Sequence, residues 1–466
     1  MRRALMFLGL LALIAVPLIT VSGGSGDKEY SYLVIATADD ELPAKLADSI
    51  SDAGGKLLRS HDKLGIAVAV SSDEDFAEDA AKIKGIRSVI GNMYLPSVLP
   101  EGSQRLTKDD LGDDVDPSDD PLHFLQWPLE AIDADGAWDE GYTGAGVIVA
   151  VLDTGVAGTH PDLKANVLDE DAISFAYDSD GNLEDWDPTD DVDPLDPYSY
   201  FDHGTHVAGI IAAVDNDIGV IGVAPDAKIL PVQVLSRDFG YGHFDWIAAG
   251  IVYAADNGAH VINLSLGGYL ENSGYYDEYE DKTYSAKEVA EALVAMGRAI
   301  NYAHQKGCVV VAAIGNDAMD LDKDKDGVFS PAEQQHVISV AATGPKGWYE
   351  DPDTDLTVPA IFTNYGQSAV DIAAPGGNFD PTKERYWWDW VFGLGVTTDY
   401  FWFAAGTSMS APHVAGVAAL VIEAGGGDMK PDQVWSVLKL TSDDLGKKGN
   451  DDYYGHGHLN AYEAVK

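Results

Sequence analysis

The chain has 466 residues, 46% of them apolar, and carries 77 acidic against 29 basic side chains for a formal net charge of -48. That apolar share excludes a disordered acidic tail, and at roughly 150 residues per domain the length provides for about three units and a large core. The charge disfavours nucleic acid and anionic membranes, whose phosphates it repels, and favours multivalent cations and a solvated acidic surface.

Residues 1–24 begin with Arg2 and Arg3, run through apolar residues from Ala4 to Val21, interrupted by Pro17, and end in small residues. This is the layout of a secretory signal peptide, with an uncleaved N-terminal anchor as the alternative. No later segment is long and apolar enough to span a membrane, so the mature protein is expected to be secreted and extracellular, with no stable membrane span.

Residues 30–99 alternate strand-like and helix-like stretches: a strand at 32–35, a helical pattern at 42–50, a strand at 66–70, a helix at 76–83 and a short strand at 89–90. One more strand near Lys56-Leu57-Leu58 completes a small ferredoxin-like α+β unit of the βαββαβ type. Residues 100–122 are nearly devoid of apolar side chains and read as an exposed acidic linker and processing region.

From 123 to 466, apolar strands such as 147–152, 229–235 and 309–314 alternate with helical stretches. The pattern predicts an α/β domain built on a parallel sheet with helices on both faces, its chemistry gathered at the carboxyl ends of the strands. Cys308, the single cysteine, opens one of these runs and reads as a small buried hydrophobe.

Three islands carry chemistry. Val149-Ala150-Val151-Leu152-Asp153-Thr154-Gly155 ends a strand in a carboxylate. Asp202-His203-Gly204-Thr205-His206-Val207-Ala208-Gly209 opens a helix rich in small residues. Gly406-Thr407-Ser408-Met409-Ser410-Ala411-Pro412-His413 opens another, with Pro412 fitting its first turn. A serine alcohol is a poor nucleophile at neutral pH, so Ser408 needs an imidazole to take its proton, and that imidazole needs a carboxylate to fix its tautomer. Each residue alone has an innocent explanation as a cap, a core histidine or a helix-start serine; three extended matches in order do not.

These islands resemble the three signature segments of the subtilases, the subtilisin-like serine peptidases. The resemblance extends over about residues 125–466, including Phe362-Thr363-Asn364-Tyr365-Gly366 and Ala373-Ala374-Pro375-Gly376. It implies a subtilisin-like fold, a secreted endopeptidase acting on protein or peptide substrates, and the roles of nucleophile for Ser408, general base for His203 and orienting carboxylate for Asp153. His206 and His413 are then non-catalytic. Asn316, in Ala312-Ala313-Ile314-Gly315-Asn316, matches the oxyanion donor. The segments Gly240-Tyr241-Gly242 and Ser265-Leu266-Gly267 match the edges between which a substrate adds as a strand. Tyr241 departs from the small residue expected there and narrows one subsite. Residues 30–99 resemble the inhibitory prodomain, which implies folding assistance, an intramolecular inhibitor and self-cleavage between Leu99 and Leu122.

The run from Asp322 to Glu333 spells an EF-hand calcium loop. Asp322, Asp324, Asp326, Ser330 and Glu333 supply oxygens at positions 1, 3, 5, 9 and 12, Gly327 stands at 6 and the Val328 carbonyl at 7. Flanking helices are not evident. Calcium is therefore the expected cofactor, clamping the segment after Asn316. Residues 178–196, with nine acids and no basic residue, read as a solvated loop, with a second calcium site as the alternative. The aromatics at 386–392 and 400–403 read as an inserted packed hairpin, or alternatively as an exposed recognition wall. An α/β-hydrolase esterase predicts Gly-x-Ser-x-Gly and the order Ser, Asp, His, neither of which is present. An inactive calcium-dependent binding protein has no need of all four catalytic-type residues.

Overall fold

The computed structural model describes residues 29–96, 102–107, 122–176, 201–237, 240–277, 281–397 and 400–466. The signal-like segment and the acidic loop at 178–196 lie outside the described residues.

The first elements are β1 (Tyr30–Ala36), α1 (Leu46–Asp52), β2 (Lys56–His61), β3 (Ile66–Ser71), α2 (Phe76–Ala80) and β4 (Ile86–Gly91). They form an antiparallel sheet in the order β2-β3-β1-β4. Strand alternation sorts its side chains into two sets. Val34, Ala67 and Ala69 bury against Leu46 and Ile50 of α1 and Phe76 and Ala80 of α2. Leu33, Ile35, Ile66, Val68 and Ile90 face the other way and join the core of the large domain.

The chain then leaves this sheet. β5 (Tyr94–Pro96) pairs antiparallel with β10 (Tyr241–His243), and β6 (Gly102–Thr107) pairs antiparallel with β20 (Tyr400–Ala405). Residues 102–107 were expected within an exposed linker, but they form an ordered strand. Their side chains carry no strand pattern, and the pairing comes from β20, itself held by β19 (Val391–Leu394). In that three-stranded sheet Phe392 and Phe403 are fully buried with ring centroids 4.8 Å apart, so the aromatic insertion packs here.

The large domain centres on seven parallel strands. They are β7 (Ile148–Asp153), β8 (Ile173–Ser174), β9 (Lys228–Gln233), β11 (Val261–Leu264), β15 (Val309–Ala313), β17 (Val337–Thr343) and β18 (Ile372–Pro375), in the order β18-β17-β15-β11-β7-β9-β8. Their near-continuous apolar runs are buried because helices cover both faces. The principal helices are α3 (Phe201–Ala212), α4 (Phe244–Asp256), α5 (Ala286–Lys306) and α6 (Thr407–Ala424). α5 starts at a capping box between Ser285 and Glu288 and stops at Gly307, whose φ of 99° is the left-handed conformation glycine favours at a helix end. Cys308 is buried there, its thiol pushed up to about 12 by burial and donating to the Ala259 carbonyl.

Two helices of the large domain carry the small sheet. From α5, Arg298 donates to the carbonyls of Ala36 (3.0 Å) and Leu64 (3.1 Å), and Glu291 pairs with Arg87 at 2.8 Å. From α4, the buried Asp245 accepts from Asn92 at 2.7 Å and pairs with Arg59 at 3.1 Å.

Candidate active site

Asp153 is the last residue of β7 and is fully buried. Its Oδ1 accepts the Thr154 N–H at 2.7 Å and lies 2.8 Å from Nδ1 of His203. His203 stands in the first turn of α3, and the glycine after it is a packing requirement: a Cβ on Gly204 would lie 2.1 Å from the Gly155 carbonyl oxygen. Bound to Asp153 through Nδ1, the imidazole presents Nε2 as its second nitrogen, which is buried and makes no hydrogen bond among the described residues.

Ser408 lies in the first turn of α6, which packs against α3. α6 begins at Thr407, so Pro412 sits inside the helix and not in its first turn. Proline has no N–H to give the carbonyl four residues back, which is that of Ser408. The Ser265 hydroxyl takes that place, donating to the Ser408 carbonyl at 2.8 Å. One of the residues matched as substrate-lining thus also satisfies the backbone of the serine turn.

Asn316 follows β15 and Gly315, whose φ is +100°. Its Oδ1 accepts both the backbone N–H and the hydroxyl of Thr407 at 2.9 Å, and the Thr407 hydroxyl accepts the Gly315 N–H at 3.1 Å. With its oxygen engaged beside Ser408, the side-chain amide is fixed in orientation, as a donor that meets a developing oxyanion must be.

The two glycine-rich segments flank one extended strand. Opposite Tyr241 and Gly242 stand Pro96 and Leu95, and the Gly267 N–H donates to the Pro96 carbonyl at 3.1 Å. Gly242 and Gly267 are tight against their own scaffold: a Cβ would come within 2.1 Å of the Val234 oxygen and 2.8 Å of Phe329 and the Ser330 oxygen. Nothing in the sequence pattern pointed to Tyr94-Leu95-Pro96 as the occupant of this track.

His206 and His413 are buried, and the hydrogen bond to Asp153 is made by His203 and not by either of them; His413 Nδ1 contacts the Met409 carbonyl at 2.7 Å. Burial first of all pushes His206 down to about 3 and both His413 and His458 to about 4. In the unfolded chain histidines titrate near 6.5. Below that pH the unfolded state takes up protons that the folded state refuses, so stability is complete above about pH 6.5 and is lost as pH falls toward 4. The melting temperature of the Ser408→Ala protein should therefore fall steadily from pH 7 to 4.5; a flat or rising profile contradicts this.

The loop from Asp322 to Glu333 lies between β15 and β17. Its last part is β16 (Gly327–Ser330), paired with β12 (Gly268–Glu271), which continues directly from Gly267. Burial pushes the Glu333 carboxyl up, with the Asp322 charge adding to it, and the Ser330 hydroxyl is buried with no hydrogen-bond partner among the described residues. Both features suit a cation. The Asp322 carboxylate accepts the Gln367 N–H at 2.8 Å and the Ser368 hydroxyl, while Asp324 and Asp326 are exposed. Among the described residues, the ligand-type group drawn within 4.8 Å is instead His304, His336 and Asp432. There the Asp432 carboxylate, 82% exposed, already pairs with His304 at 3.0 Å as an ordinary surface contact.

A parallel sheet presenting Asp, His and Ser in that chain order at its carboxyl edge is the design of a subtilisin-type serine peptidase, not of an α/β-hydrolase. The profile of the Subtilase family (Peptidase_S8) matches residues 144–457, and the chain belongs to that family. It is 35% identical over 351 residues to thermitase of Thermoactinomyces vulgaris, covering 75% of this chain and 99% of that protein. Against subtilisin BL of Lederbergia lenta the identity is 34% over 342 residues, covering 73% and 99%. Among solved structures, fervidolysin of Fervidobacterium pennivorans, described as a keratinolytic enzyme related to subtilisin, aligns with a TM-score of 0.67 at 26% identity over 94% of this chain and 61% of that one. The epidermin leader peptide processing protease of Staphylococcus aureus shares the fold, with a TM-score of 0.72 at 24% identity over 94% and 98%. The protein is a subtilisin-like serine endopeptidase. No helix among the described residues is long and apolar enough to cross a membrane.

Proposed function

We propose that this chain is the secreted precursor of a calcium-stabilised endopeptidase, in which residues 30–99 act as an intramolecular inhibitor until the chain cuts itself. One observation carries the reading: Tyr94–Pro96 lies between Tyr241–His243 and Gly267, on the track assigned to a substrate. The small unit is thereby joined to a strand that blocks the cleft.

In the reaction, Gly240-Tyr241-Gly242 and Ser265-Leu266-Gly267 hold the peptide extended. The Ser408 hydroxyl attacks the scissile carbonyl and His203 Nε2 takes its proton, while Asp153 keeps the Nδ1–H tautomer and stabilises the imidazolium. Charge on the carbonyl oxygen is met by the Asn316 amide and the Ser408 N–H. His203 passes its proton to the leaving amine as the acyl-enzyme forms, and water releases the acyl group by the reverse sequence.

The precursor's own scissile bond is proposed to lie between Pro96 and Gly102. Pro96 is on the Gly267 edge, and Gly102 stands opposite Ala405, three residues before Ser408. The range begins before Leu99 and ends within the acidic stretch. N-terminal sequencing of the processed enzyme checks this: a start between Ser97 and Gly102 is expected when processing is stopped at its first cut, and a first cut beyond Thr107 contradicts it.

Calcium is proposed to be held by Asp322, Asp324, Asp326, Ser330, Glu333 and the Val328 carbonyl. Bound there, the ion supplies positive charge that offsets the loop's carboxylates. The loop's link to catalysis runs through β16 and β12 to Gly267, and through Phe329, which fills the space beside Gly315. Saturating calcium should raise the melting temperature of the Ser408→Ala protein by about 5 °C or more, and Glu333→Gln should remove most of that gain. An equal gain in both proteins would refute the assignment.

A further inference from the structure

The peptide track does not end at the glycine edges. Along β5, peptide groups alternate between the two sides. Met93 turns its carbonyl to the Phe244 N–H at 3.0 Å, on the side of β10. Pro96 turns its carbonyl the other way, to Gly267. Tyr94 faces that same second side two residues earlier, about 7 Å along the strand and out of reach of the Gly267 N–H. Its backbone is met there by a different element, the hairpin β13 (Gly274–Asp277) and β14 (Lys282–Ser285), which leads into α5. The Asp277 carboxylate accepts the Tyr94 N–H at 3.0 Å, and the Tyr275 hydroxyl donates to the Tyr94 carbonyl at 3.4 Å. Asp277 is 1% exposed and Tyr275 half-buried.

We propose that this hairpin is an additional substrate subsite, in which Asp277 and Tyr275 bind the main chain of the residue two before the one at Gly267. The inference rests on the reading that β5 lies where a substrate lies. Both partners belong to the enzyme and remain when the small unit has gone, and both bind main-chain groups, so the subsite takes any L-residue with a free N–H. What it selects is length: polypeptides continuing toward their N-terminus over peptides that stop short of this position. A charged acceptor on a backbone N–H is the stronger kind of hydrogen bond, and its loss corresponds to about a tenfold change.

Three internally quenched peptides test this on the processed wild-type enzyme: residues 92–104 of this chain, the same peptide N-methylated at the Tyr94 nitrogen, and an acetylated peptide of residues 95–104. The expected kcat/KM for the first is about tenfold above the other two, with the difference mainly in KM. In Asp277→Ala the ratio of the first peptide to the third should fall to within twofold. Equal rates for all three peptides in the wild type overturn the subsite, as does an unchanged ratio in Asp277→Ala. The N-methyl peptide keeps the test decisive should that variant fold poorly. If the enzyme digests casein yet cuts none of the three between Pro96 and Gly102, the placement of β5 as a substrate mimic fails, and the subsite with it.

Discussion

Ser408→Ala is expected to lower kcat on a peptide substrate by about a millionfold and to leave the precursor uncut, with residues 30–99 still attached. The magnitude is that found on removing the nucleophile of subtilisin, a member of this family, and is not independent of that enzyme. The physical argument is specific to the serine turn. The Ser408 carbonyl is held by the Ser265 hydroxyl in place of the helix bond that Pro412 cannot make. Ser408→Ala leaves that contact and the buried backbone untouched, so folding should survive while the acyl-enzyme cannot form. Intact-mass analysis of the purified variant reads the uncut chain. A variant that matures normally without added protease would show that another group performs the cleavage.

Asn316→Ala should reduce kcat about 100- to 1000-fold with KM little changed, again a magnitude known from subtilisin. A donor aimed at the oxyanion acts on the transition state and hardly on the bound ground state, which places the loss in kcat. Alanine also removes the acceptor of the Thr407 N–H at the start of α6, so a structural contribution must be separated. Asn316→Asp does this. It keeps an oxygen for Thr407, loses the donor and adds a negative charge where the oxyanion forms, so it should be at least as slow as Asn316→Ala while melting closer to wild type. If Asn316→Asp instead retains activity within tenfold of wild type, the amide is not the oxyanion donor.

The candidate chemistry was legible because each functional side chain sits where strong local signals coincide. Asp153 ends an apolar strand, His203 precedes a glycine that the approach of Gly155 requires, and Asn316 follows a glycine with positive φ. The βαββαβ order of the first unit was readable from alternation, down to the strand at Lys56. What escaped is set by distant partners. Tyr94-Leu95-Pro96 is too short for periodicity and contains a proline, and only the edge of β10 makes it a strand. Gly102–Thr107 looks like linker because its strand character comes from β20. Arg298 gives no local sign that it binds carbonyls of β1 from α5. Pro412 read as a first-turn proline because the helix start at Thr407 depends on contacts from Asn316 and Ser265, which no local pattern contains. The charge, too, is unevenly divided: residues 1–120 carry 21 acids and 12 bases, leaving 56 acids and 17 bases beyond them. Most of the excess thus lies beyond residue 120, with the large domain, whose activity and stability are expected to survive in molar salt.

The most direct test of the central claim is labelling with a serine-directed fluorophosphonate, followed by peptide mass mapping. The account predicts one label per processed wild-type molecule, on Ser408, with none on Ser408→Ala and little on the uncut precursor, whose cleft holds its own strand. Folded, processed wild-type enzyme that takes up no label, or carries it on another residue, would contradict the account.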